Sequence, residues 1–128
     1  MKVNIEISIG ELIDKLTILE IKLEKILDKS KSAEVKKELD ILSIHYQNLT
    51  ATSNNLDQYF DNLKKVNLKI WKMEEDIRYL IREKKFDDEF IETARKIHRT
   101  NDLRFEIKNE INKKFNSNLS EQKSYPEY

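Results

Sequence analysis

Apolar residues return at spacings of three and four along most of this chain, and that period predicts helices. Leu12, Leu16, Leu19, Leu23 and Ile26 mark a first helix over residues 9–28. Val35, Leu39, Leu42, Tyr46 and Leu49 mark a second over 33–52, after a polar connection, "KSKSA". Tyr59, Leu63, Val66, Ile70 and Ile77 mark a third over 57–84, after the break "TSNNLD". Phe90, Ala94, Ile97, Phe105 and Phe115 mark a fourth over 88–115, with Asp87 or Asp88 as its cap. Ser8 and Glu11 form an S-x-x-E capping box ahead of the first helix.

One segment has a different period. Val3, Ile5 and Ile7 alternate with Lys2, Asn4, Glu6 and Ser8, so residues 1–8 read as a strand. A lone strand needs a partner. The candidates are the polar, extended tail over 116–128 or a second copy of the chain. On the first helix Ile18 and Ile21 lie off the main stripe, which leaves them for a second layer or an interface. The expected architecture is a single all-α domain, a four-helix up-and-down bundle with a short N-terminal β-strand, self-associating.

Composition sharpens this. One Gly and one Pro in 128 residues leave almost no turn residues for a strand-rich fold. No cysteine is present, so disulfides, thiolate zinc sites and cysteine nucleophiles are excluded. A formal net charge of zero argues against nucleic acid as a partner. No run approaches the roughly 20 apolar residues of a membrane span, and no signal peptide opens the chain, so a cytoplasmic protein is expected.

Polar residues that share the apolar arcs carry the candidate chemistry. Glu20 falls between Ile9, Ile13 and Leu27, with Thr17 and Glu24 at the arc's edge. Glu74 falls beside Ile70, Ile77 and Ile81, with Arg78 one turn on, Asn67 two turns back, Trp71 flanking and Glu75 just outside. In "TNDLRFEIK", Asn101, Arg104 and Lys108 occupy the arc of the fourth helix, with Asn112 below and His98 at its margin. Buried singly, each charge would cost several kcal/mol or titrate to its neutral form. The three helices are therefore expected to bring them together. Glu20 and Glu74 against Arg78, Arg104 and Lys108 leave one positive charge over, which suits an anion. A closed salt-bridge network that only fixes helix pairing is the competing reading, and a new helix starting at Thr100 is another.

Catalytic signals are weak. Glu11 and Asp14 match one E-x-x-[ED] element of magnesium-binding helical pyrophosphatases, but Asp14 lies away from the arc and a second copy is not clean. His45 and His98 have no second histidine within a helical turn, so no metal site is expected beyond a weak case for magnesium at Glu20, Glu74, Glu75 and Asp102. No phosphate loop or nucleophile elbow is present.

"SIGELIDKLTILEIKLEKI", "IWKMEEDIR" with its W-x-x-E-[DE]-x-x-R pattern at Trp71, Glu74, Glu75 and Arg78, "RTNDLRFEIKNEIN" and the terminal "EQKSYPEY" together resemble a family of small helical bacterial and phage proteins, a domain of unknown function. The likeness spans nearly the whole chain. Members are often encoded beside glycosyltransferases or fused to them. The resemblance implies an accessory or ligand-binding protein of surface-polysaccharide synthesis that takes an anionic sugar derivative, or a glycosyltransferase as partner. The expected ligand set is Glu20, Trp71, Glu74, Glu75, Arg78, Asn101, Arg104 and Lys108. A small electrostatic or metal-dependent enzyme acting on a phosphorylated substrate, with Glu74 or Glu75 as acid, base or magnesium ligand, is the first alternative. A non-catalytic assembly module with a closed polar core is the second.

Overall fold

A computed structural model describes residues 1–127; Tyr128, the last residue of the expected tail, lies outside the described residues. Among the described residues the fold is all-helical, with four helices: α1 (Ile9–Lys25), α2 (Lys29–Thr50), α3 (Leu56–Arg82) and α4 (Asp88–Lys114).

Each start has a local cause. Ser8 caps α1, its Oγ accepting from Glu11 N at 3.0 Å. The Glu11 carboxylate accepts from Lys108 instead. Asp28 caps α2 through Lys31 N at 2.9 Å, which pulls the expected "KSKSA" connection into the helix and shortens the link to residues 26–28. Asn55 adopts a left-handed backbone at φ 68° and turns the chain into α3, a conformation asparagine tolerates well. Asp87 caps α4. That helix runs unbroken through Thr100, whose hydroxyl donates back to Lys96 O at 2.7 Å, so no new helix starts there.

α3 and α4 are about 40 Å long and α1 about 25 Å. α3 and α4 pack on each other along their length, and α1 packs against both. The bonds that tie α1 to this pair fall on Lys64, Asn67, Arg104, Lys108 and Asn112. α2 lies mainly on α1 and has no fully buried residue. Its far end reaches α3 through Tyr46, whose ring sits 5.1 Å from that of Phe60.

Ile13, Leu56, Leu63 and Ile111 form the core, with Ile9, Tyr59, Ile107 and Phe115 around it. Because α1 has α2 on one side and the α3–α4 pair on another, burial wraps most of its circumference. Gly10, Leu12, Ile13, Asp14, Leu16, Thr17, Leu19 and Ile21 are all buried.

The expected N-terminal strand does not form. Residues 1–8 have no regular structure, and Val3 and Ile5 are 79% and 76% exposed. The tail, one of the two candidate partners, meets them through a side-chain bond from Asn118 to Glu6 and is then engaged on α4: Glu121 accepts from Lys108, and Lys123 lies over Phe105. Among the described residues no strand is present, and no helix is long and apolar enough to cross a membrane.

Candidate functional site

Asp14 is the hub of the interior. It is 1% exposed, and its two oxygens accept three hydrogen bonds, from Arg104 and Asn67, with the Lys108 ammonium nearby. Arg104 Nε donates to Oδ1 at 2.9 Å, and Arg104 Nη2 donates to Oδ2. Asn67 Nδ2 donates to Oδ1 at 2.8 Å and also reaches Thr17 Oγ1 at 2.8 Å. Lys108 Nζ stands 3.6 Å from Oδ2. The Thr17 hydroxyl donates to the Asp14 carbonyl at 2.7 Å, which fixes the acceptor it presents to Asn67.

Lys108 carries the network to the surface. Its ammonium donates to Glu11 at 2.8 Å and to Glu121 at 2.9 Å. Burial opposes its charge, but the hydrogen bonds to Glu11 and Glu121 and the charge of Asp14 outweigh that and hold its pKa above the ordinary lysine value. Arg104 is likewise held charged, first by its hydrogen bonds to Asp14. Three carboxylates (Glu11, Asp14, Glu121) thus meet Arg104 and Lys108, and Glu121 also faces Lys123 at 4.0 Å. These carboxylates offset the cations, so the surplus positive charge expected from the sequence is absent.

Gly10 lets α1 approach α4. A Cβ there would stand 2.6 Å from Lys108 O and 2.9 Å from Asn112 Oδ1. Gly10 N donates to that same oxygen at 2.7 Å.

The expected ligand residues divide into groups. Arg104 and Lys108 meet in the centre. Glu20 does not join them: with Glu24 it accepts from Lys64, at 3.0 and 2.8 Å. Glu74 and Arg78 pair with each other across one helical turn on the surface, Arg78 being 71% exposed. Glu75 is exposed and Trp71 partly buried on the same helix. Helical rotation placed Glu74 and Arg78 on the α3 arc, but α1 covers only the other end of that helix, so the arc is open to solvent where they sit. Asp14 lies off the leucine stripe of α1, and a single buried stripe there does not include it. Its signal was the S-x-x-E-x-x-D spacing that sets Glu11 and Asp14 one turn apart. Asn67, expected on the α3 arc, and Thr17, expected at the edge of the α1 arc, are full members.

Asn101 lies between the centre and an open cleft. The cleft, about 590 Å³, lies between one face of α4 (Arg95, His98, Asn101, Asp102) and the tail (Lys123, Tyr125). A notch of about 230 Å³ adjoins it, sharing Asn101 and Lys123 and adding Glu11, Arg104, Phe105, Lys108 and Glu121. The Lys123 ammonium sits 5.2 Å from the Phe105 ring centre and 5.7 Å from that of Tyr125, attracted by both rings. None of the four ligand residues expected on α3 lines this cleft.

Among the described residues no group of three or more His, Asp or Glu side chains is placed to hold a metal. The carboxylates of Glu11 and Asp14 that matched a magnesium motif are engaged by Lys108 and Arg104.

No curated protein and no solved structure matches this chain. The Family of unknown function (DUF6165) matches residues 1–127, and the chain belongs to that family.

Proposed function

We propose that the protein binds an anionic sugar derivative, a sugar phosphate or nucleotide sugar, in the cleft between α4 and the tail. The observation that carries this is the convergence of Arg95, Lys123, His98 and Asn101 beside the Tyr125 ring in one cleft. Cations and an amide suit a phosphate, and an aromatic face suits a sugar or base ring. Asp102 lines the cleft as well, and Lys123 has Glu121 at 4.0 Å as a partner, so an anion would share these cations with carboxylates. The site expected between α1, α3 and α4 thus shifts to the outer face of α4, with Asn101 common to both. The role in surface-glycan synthesis, as an accessory protein in the cytoplasm, rests on the sequence resemblance.

The test is calorimetric titration of the wild type with sugar phosphates and nucleotide sugars, with and without magnesium. Arg95→Met and Lys123→Met each remove a charge-assisted contact and should weaken binding about tenfold or more. If no panel member binds, or the double variant binds as well as the wild type, the cleft reading is wrong. Magnesium-dependent turnover of a panel member would favour the enzyme reading.

A second reading has its own observation. The network around Asp14 is what an assembly module needs to fix helix pairing. It is compatible with a ligand in the adjoining cleft.

A further inference from the structure

Residues 1–7 combine strand periodicity with exposure. Met1, Val3, Ile5 and Ile7 form an exposed apolar row. Glu6 Oε1 accepts from Asn118 Nδ2 at 2.5 Å, and Ile9 N donates to Ser117 Oγ at 3.0 Å. The first bond holds Glu6 toward the tail, while Met1, Val3 and Ile5 stay exposed. Among the described residues, no backbone bond outside the helices involves residues 1–7. An exposed apolar stretch with unpaired backbone groups is a template for another strand.

We infer that residues 1–7 pair antiparallel with the same residues of a second copy, about a two-fold axis at Asn4. The sequence selects this register. With Asn4 opposite Asn4, Lys2 faces Glu6 and Glu6 faces Lys2, so both ion pairs form at once. Val3 then faces Ile5, Met1 faces Ile7, and both apolar rows fall on one face. Parallel pairing sets Lys2 on Lys2 and Glu6 on Glu6. An antiparallel slip of one residue sets apolar side chains opposite polar ones. A slip of two, with Val3 or Ile5 on the axis, loses both ion pairs. The in-chain alternative, the tail, meets residues 1–7 through the Glu6–Asn118 side-chain bond, shares no backbone bond with them among the described residues, and is anchored on Lys108 through Glu121. A two-fold contact of this kind is self-complementary and closes at two chains. A two-stranded ribbon is marginal alone, but here each strand runs directly into a folded helical body at Ser8.

The test is sedimentation equilibrium of the full chain, with circular dichroism to verify that each variant keeps its helices. The wild type should dimerise, and Val3→Asp with Ile5→Asp should give a helical monomer. Lys2→Glu and Glu6→Lys each turn both ion pairs into like-charge pairs and should each weaken the dimer about tenfold. Lys2→Glu and Glu6→Lys in one chain should restore it. An equimolar mixture of the two single variants should form the mixed dimer in preference to either homodimer. A monomeric wild type, a dimer that survives the double aspartate variant, or a double charge swap as weak as the single ones would overturn the register.

Discussion

Arg104 grips Asp14 with two nitrogens, Nε and Nη2, one on each carboxylate oxygen. This fork spans ninety residues of sequence and joins α4 to α1 at the most buried carboxylate described. Asn67 donates to the same carboxylate and Lys108 stands 3.6 Å away with Glu11 and Glu121 as its own partners, so removing the carboxylate strands Arg104 above all.

Asp14→Ala should therefore destabilise the fold by about 3–5 kcal/mol, the usual cost of leaving a buried charge without its partner. Urea denaturation measures it. Arg104→Met should cost less, about 2 kcal/mol, because Lys108 and Asn67 still face the carboxylate. Equal losses would mean that Asp14 does not organise the centre.

Gly10→Ala sets two effects against each other. Alanine favours helix by up to about 1 kcal/mol. Its Cβ would meet the Lys108 carbonyl at 2.6 Å, and a backbone oxygen within a helix cannot swing aside. Overpacking costs of about 1–3 kcal/mol are expected to win. A melting temperature at or above that of the wild type would show that α1 can move away from α4 freely.

Arg78→Ala should change stability by less than about 0.5 kcal/mol, since its pair with Glu74 is exposed and local. It should also leave sugar-phosphate titrations unchanged, because Arg78 does not line the α4–tail cleft. A large loss in either measurement would restore Arg78 to a binding role.

The alkaline limb of stability should carry two signatures. Lys108 has its pKa raised by its carboxylate partners against the effect of burial. Tyr46 has its pKa raised well above the ordinary 10, chiefly by burial and then by its hydrogen bond to Asp57. In both cases the folded chain keeps a proton that the unfolded chain releases above about pH 10. Their contributions are fully present below that pH and fade as it rises toward the folded values. Tyr46→Phe should remove a late phase from the ultraviolet phenolate titration, and Lys108→Met should flatten the fall in stability above pH 10. Identical alkaline profiles for variants and wild type would refute the assignment.

The sequence by itself determined the four helices, the cap at Ser8, a cap at Asp87 or Asp88, and the presence of Arg104 and Lys108 on a buried arc. Helical period and capping chemistry are local, and α4 has one buried stripe, so rotation along it reads correctly. Tertiary structure decided the rest. α1 is enclosed on most sides, so Asp14 is interior although it lies off the leucine stripe. α3 outruns its cover, so the same rotation that buries Asn67 leaves Arg78 in solvent. The residues 1–8 alternate as a strand should, yet a strand exists only with a partner, and the chain's own tail is held at Lys108 by Glu121. Side-chain period records which faces are apolar. Which of those faces is covered depends on helix length, crossing and chain ends, and those are settled only when the whole chain packs.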